Sequence, residues 1–262
     1  MLTQTNEHAL QPVTAVEIRP LTELPEFDLC VELETAVWGY DLADLIPRRM
    51  FLLASRIGGQ VLGAFAGGTM AGFAMALPGY RHGHPYLHSH MVGVLPEFRN
   101  QGLARRLKLA QREDALARGI ELMEWTFDPL EIKNAHINIA RLGVIVRRYK
   151  HNFYGPSSSP LQGGLPTDRV YAEWWLRSNR VRLVLGGEQP TFDVLEEVDV
   201  PGAIYEWKAS EAERGAARRV QASNAAALED AFGRGHTVLG YRRNENGDGS
   251  FLLGIWDEAL SY

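Results

Sequence analysis

The apolar positions of this chain fall into short runs of strand length separated by stretches of helical period. Residues 16–19 read as a short strand. Residues 25–38 read as a helix with Phe27, Cys30, Val31, Leu33 and Val37 along one face, and a second helix is predicted over 47–56. The uncharged stretch 60–79 is as long as a membrane span and carries Gly63-x-x-x-Gly67 and Gly68-x-x-x-Gly72. Gly67-Gly68, however, divides it into two runs of strand length, 61–66 and 70–77, and a Gly-Gly link makes a tight hairpin. A third strand is expected across 87–94, a helix over 103–118 and a strand over 122–127 that stops at Asp128-Pro129. Residues 134–142 predict a short helix ended by Gly143, followed by a strand over 144–149. The Ser-, Pro- and Gly-rich stretch 155–166 reads as a mobile connection or a lid, and 170–176 resumes a strand. Beyond it, 211–232 is helical, and 237–243 pairs with 251–256 as a hairpin around 244–250. No internal repeat is present.

Bulk properties narrow the classes. A chain of 262 residues buries a substantial core as one large domain or as a domain with an extension. A net charge of −5 without a dense Lys/Arg block argues against nucleic acid as the main partner. Cys30 stands alone, which excludes an intrachain disulfide framework and fits a reducing compartment. The polar start 1–11 lacks the basic and apolar regions of a secretory signal, so the expectation is a cytoplasmic protein with no membrane partner.

The most informative stretch is residues 90–108, where a short apolar run ends in Pro96 and a Gly-bearing turn opens a long helix. Strand, turn and helix N-terminus place unpaired backbone N–H groups at the positive end of a helix dipole, the arrangement of an anion site. Lys and Thr are missing where a Walker-type loop needs them. Val94, Pro96, Arg99, Gly102 and Ala104 instead match Val-x-Pro-x-x-Arg-x-x-Gly-x-Gly/Ala, and the stretch resembles motif A of the GNAT N-acetyltransferase superfamily. The order of predicted elements is also that of the GNAT fold: an α/β (α+β) arrangement with a central, mostly antiparallel mixed sheet flanked by helices. The string Trp125–Leu130, Asn134-Ala135, Asn138, Leu142-Gly143 and Phe153–Gly155 resembles a GNAT branch with a long C-terminal extension. The expected organisation is a polar tail over 1–14, a GNAT core over 15–177 and an α/β extension over 178–262 whose role the sequence does not choose. A homodimer contact, a cover over the substrate site and an independent small domain all remain open for it.

What the resemblance implies is an acetyl-CoA site made largely of backbone. The pantetheine arm is expected along the strand 88–94, bonded by Val92, Gly93 and Val94, with an N–H near Val92 polarising the thioester carbonyl. The amides of Asn100, Gln101, Gly102, Leu103, Ala104 and Arg105 are expected around the pyrophosphate, with charge from Arg99 and Arg105, and Asn134 toward the coenzyme. Direct attack of an amine on the thioester needs a base for the amine proton and an acid for the sulfur. His88 and His90 alternate with Ser89 and so share a strand face; either is a candidate base, or both are half-buried imidazoles satisfied by backbone. Many GNAT members place a Tyr acid in an Asn-x-x-Ala-x-x-x-Tyr setting, but counting from Asn134 that position is Arg141 here. Tyr149 and Tyr154 are the substitutes, unless they are core or rim aromatics or the thiolate leaves unaided. Asp128 is a candidate acceptor-binding carboxylate or a turn residue with Pro129, and Asn134 a possible helix cap. His82, His84, His88 and His90 raise a metal site as a rival, disfavoured because no Cys or carboxylate lies among them and convergence needs a sharp fold-back. The reading is an acetyl-CoA-dependent N-acetyltransferase for a small-molecule amine or amino-acid-like acceptor, without metal. The alternatives are a CoA- or acyl-CoA-binding regulatory module without turnover and a protein or peptide acetyltransferase.

Overall fold

Hydrophobic alternation is satisfied by a single sheet whose strands come from both halves of the chain. The computed structural model describes residues 16–258; the polar tail over 1–14 lies outside them. The elements run β1 (Val16–Pro20), α1 (Leu24–Trp38), α2 (Arg48–Arg56), β2 (Gln60–Ala66), β3 (Thr69–Arg81), β4 (His84–Val94), α3 (Leu103–Ala117), β5 (Leu122–Phe127) and α4 (Ile132–His136). They continue as β6 (Ile145–Lys150), β7 (Arg169–Trp175), α5 (Asn179–Leu185), β8 (Glu196–Val200), α6 (Ile204–Ala209), α7 (Arg214–Gly233), β9 (Thr237–Arg243) and β10 (Gly249–Gly254). The predicted elements up to β7 are all present, with boundaries moved by a few residues. The helix expected over 134–142 starts two residues earlier and finishes as a π-helical turn, Ile137–Arg141. Sequence reading did not find α5, β8 or α6.

The ten strands are ordered β1-β2-β3-β4-β5-β7-β6-β9-β10-β8. Stretch 60–79 forms the β2–β3 hairpin, and no helix of the described residues is long and apolar enough to cross a membrane. All neighbours pair antiparallel except β4 and β5, which run parallel. One sheet face carries α1 and α2 over Phe27, Phe51, Phe73 and Met91; the other carries α3 and α7 over Leu87, Trp125 and Trp174. The extension joins through Val146↔Val238, and its Leu228, Val238, Phe251 and Leu253 belong to the same buried cluster as Leu87 and Trp125. Sheet and core therefore run through position 177 without a break.

Candidate active site

The site begins where the parallel pairing stops. Strands β4 and β5 pair only at Leu87↔Met123 and His88↔Glu124. Beyond that point β5 keeps its other neighbour, pairing Trp125, Thr126 and Phe127 with β7, while β4 keeps β3. Two strand edges with free backbone groups thus face each other across a wedge-shaped gap. The cause is local: between Met75↔Met91 and Leu77↔His88, β3 places Ala76 opposite both Ser89 and His90. This extra residue is a β-bulge, which bends β4 away from β5 and strengthens its twist.

The wide end of the gap leads to the N-terminus of α3. Asn100 (φ 61°) and Gly102 (φ 77°) both adopt the left-handed conformation, which turns the chain sharply from β4 into the helix. Gly102 is the N-cap residue, and no side chain caps the helix. The amides of Leu103, Ala104 and Arg105 precede the first helical bond, Arg106 N–H to the Gly102 carbonyl, and so have no partner within the helix. A Cβ added at Gly102 would meet nothing within 4 Å, so the turn that leads into these donors is open on that side. Arg99 has a bracing role: its Nε donates to the Val94 carbonyl at 3.1 Å and its Nη2 to the Val37 carbonyl at 3.4 Å. Gly93 lies close to Trp38, at the end of α1, where an added Cβ would sit 3.1 Å from the indole. An unpaired strand edge, an uncapped helix end and the open turn before it fit a coenzyme with an extended amide arm and a pyrophosphate.

At the narrow end the residues sort by face. Ser89 points to α3, where its hydroxyl donates to Gln111 Oε1 at 2.8 Å and accepts from Lys108 Nζ at 2.7 Å. His88 and His90 take the opposite face, with ring centroids 6.1 Å apart. Burial lowers the basicity of both, and His90, Lys108 and Arg148 push His88 further, to about 4, so its ring is neutral at pH 7. Beside them Glu124 is only 2% exposed and accepts from Arg81 at 2.8 Å and from Arg148. Burial pushes Glu124 up more than the two arginines pull it down. Glu173 on β7 accepts from Arg147 at 2.9 Å and Arg148 at 3.1 Å, and the Arg148 guanidinium lies 4.2 Å over Tyr171. Sequence reading missed this charged wall; the signal was Glu124 inside the apolar run Leu122–Phe127.

The connection 151–168 roofs this face. Ser158 donates from its N–H (2.9 Å) and Oγ (2.6 Å) to Asp44, and its Oγ accepts from the Asp41 N–H at 3.1 Å. Ser159 Oγ donates to the Trp38 carbonyl at 3.0 Å. The roof brings Tyr154 to β5, its hydroxyl 3.1 Å from Thr126 Oγ1.

Three sequence candidates, Tyr149, Asp128 and Asn134, are placed elsewhere. Tyr149 packs in the core on the α7 side of the sheet, opposite His88 and His90, because a register shift between Val146 and Tyr149 changes the strand's parity. Its hydroxyl donates to Asp168 at 2.7 Å; burial and that carboxylate hold the phenol well above its ordinary range. Asp128 takes its turn role: Oδ1 accepts from the Leu130 N–H at 2.8 Å, and Oδ2 from Lys208 Nζ at 3.1 Å. Asn134 is exposed, its Oδ1 accepting from Asn138 Nδ2 at 3.3 Å. His82 and His84 stay at the exposed β3–β4 turn, and no group of three or more His, Cys, Asp or Glu among the described residues is arranged to hold a metal.

A parallel strand pair opened by a bulge onto an uncapped helix end frames the site. The family comparison points the same way: residues 27–136 match the model of the acetyltransferase (GNAT) family. No curated protein matches the chain in sequence. The ribosomal-protein-S18-alanine N-acetyltransferase from Escherichia coli superposes with a TM-score of 0.51 at 15% identity, covering 63% of this chain and 96% of that one. A GNAT family acetyltransferase from Elizabethkingia anophelis with acetyl-CoA bound gives 0.44 at 12% identity, covering 61% and 97%. Arabidopsis thaliana NAA60 in complex with a bisubstrate analogue gives 0.47 at 13% identity, covering 62% and 99%. At such identities the first likeness speaks for the fold.

Proposed function

We propose that this protein is an acetyl-CoA-dependent N-acetyltransferase acting on a small-molecule amine or amino-acid-like acceptor in a reducing, cytoplasmic compartment. The observation that carries the reading is the β4–β5 gap, which pairs only as far as His88↔Glu124 and then opens onto the uncapped start of α3. Bound acetyl-CoA supplies an activated thioester. Backbone groups of Val92, Gly93 and Val94 hold its arm, and the amides from Asn100 to Arg105 hold its pyrophosphate. An N–H near Val92 takes up the negative charge that develops on the carbonyl oxygen. His90 or His88, neutral at pH 7, accepts the proton from the attacking nitrogen.

The acceptor reading rests on the opposite face. The connection 151–168 is strapped to Asp44 and Trp38 and reaches Thr126 of β5 through Tyr154, and such a fixed crossing favours a small acceptor over a long chain. The wall of Arg81, Arg147 and Arg148 around two buried carboxylates offers charged groups to a polar acceptor. A thiol-release assay with purified protein, acetyl-CoA and a panel of amines, amino acids and short peptides tests this. Release with a small amine or amino acid is the expected result. Release confined to peptides would shift the acceptor to polypeptides, and CoA binding without release would leave a binding module.

A further inference from the structure

Lys108 is a buried amine that neither the fold nor the mechanism above accounts for. It stands on α3 in the buried stripe Leu103, Leu107, Lys108, Gln111 and Ala115, where an apolar residue would be expected, and it is 7% exposed. Its Nζ donates to Ser89 Oγ at 2.7 Å and sits 3.5 Å from the centroid of the Trp125 ring. Ser89 and Trp125 are the residues that follow His88 and Glu124, the last parallel pair. Lys108 therefore bridges the two strands at the point where they part, at the narrow end of the gap. The groups around it are Ser89 and, through the sheet, His88 with Arg148 beyond it, the Trp125 ring, and Gln111 of its own helix. No carboxylate among the described residues pairs with it. A lysine held this way gains a weak π contact and one hydrogen bond in exchange for full desolvation, a poor arrangement for stability alone.

Resting on the transferase reading, we infer that Lys108 is the acid of this site, meeting the thioester sulfur at the narrow end of the gap and protonating it as it leaves. Arg141 occupies the place where the family resemblance expects a tyrosine, the Tyr149 hydroxyl is spent on Asp168 in the core, and the Tyr154 hydroxyl is engaged with Thr126 Oγ1 farther along β5. The acceptor nitrogen bonds to the acetyl carbon, and the carbon–sulfur bond breaks with its electron pair passing to sulfur. Lys108 Nζ gives that sulfur a proton, while His90 or His88 takes the surplus proton from nitrogen. On product release the histidine returns its proton to solvent and Lys108 regains one. Burial brings the lysine well below its ordinary range, which makes its ammonium a readier proton donor than that of a free lysine.

The test follows the thiol of bound CoA by its ultraviolet thiolate absorbance as pH is varied, in the wild type and in Lys108→Met. An ammonium beside the sulfur shifts the bound thiol about one unit or more below free CoA, a tenfold gain in thiolate at a given pH. Lys108→Met is expected to abolish that shift, to bind desulfo-CoA as tightly as the wild type, and to lower kcat by about 100-fold or more with the acceptor KM unchanged. A bound thiol that titrates like free CoA in the wild type overturns the assignment, and that measurement does not depend on the variant folding. A shift that persists in Lys108→Met overturns it as well. Failure of the wild type to bind CoA at all is a different result, which refutes the transferase reading itself.

Discussion

Two lysines, Lys108 and Lys208, are buried to nearly the same degree, 7% and 5% exposed, and the surroundings of each are opposite. Lys208 of α6 donates to Asp128 Oδ2 at 3.1 Å and Glu131 Oε1 at 2.7 Å, and those two carboxylates hold its ammonium above the ordinary lysine range despite burial. Lys108 has a hydroxyl and an indole face, and burial drives it down. Where the extension docks on the core, charge is neutralised in place; where β4 and β5 part, charge and backbone are left unmatched. The fold is consolidated at the first place and leaves the capacity for chemistry at the second.

Removing each amine separates the two roles most sharply. Lys208→Met leaves Asp128 and Glu131 without their cation and is expected to cost about 3–5 kcal/mol, read as a lower urea midpoint. Lys108→Met strands no carboxylate and is expected to leave stability unchanged or raise it by about 1 kcal/mol. A loss of several kcal/mol in Lys108→Met would make the two lysines alike and end the contrast. Gly102→Glu places a carboxylate before the free amides of α3 and should weaken CoA binding by about 100-fold or more, while the φ of 77° adds about 1 kcal/mol of strain to the fold. Calorimetry beside a thermal melt separates these two effects.

Two smaller effects concern pH. His88 titrates near 4 instead of 6.5, so between those values the unfolded chain binds the proton first. Stability is therefore lost as pH falls from 6.5 through about 4, and the acid limb of activity lies below the ordinary histidine range if His88 is the base. Glu34, fully buried in α1, is raised to about 7 by burial although its Oε2 accepts from the Ile46 N–H at 2.8 Å. Its protonated form is favoured in the fold, so its contribution is complete below 4.5 and is lost as pH rises through 7. Glu34→Gln should remove that slope, giving a melting temperature closer to constant between pH 5 and pH 8.

Legibility in the sequence followed the range of the interactions involved. The β2–β3 hairpin and the turn into α3 were readable because Gly67-Gly68, Pro96 and Gly102 impose their backbone shapes locally. His88 and His90 come together as alternation predicts, their ring centroids 6.1 Å apart, although a bulge at Ser89 and His90 interrupts that alternation; Tyr149 was misplaced because a register shift breaks parity within β6. Glu124 with Arg81 and Arg148, and Lys108 with Ser89 and Trp125, join residues far apart in sequence, and no local pattern announces them. Strand β8, Glu-Glu-Val-Asp-Val, has too little apolar character to suggest a strand; pairing with β10 makes it one.

The central claim is that the gap between β4 and β5, with the start of α3, is a coenzyme site. Calorimetric titration of the purified protein with acetyl-CoA, CoA and a pantetheine fragment without the pyrophosphate tests it most directly. Binding of both coenzymes, lost with the fragment, is the predicted result. No binding of any of the three would mean that the bulge, the opened strands and the uncapped helix are features of the fold alone.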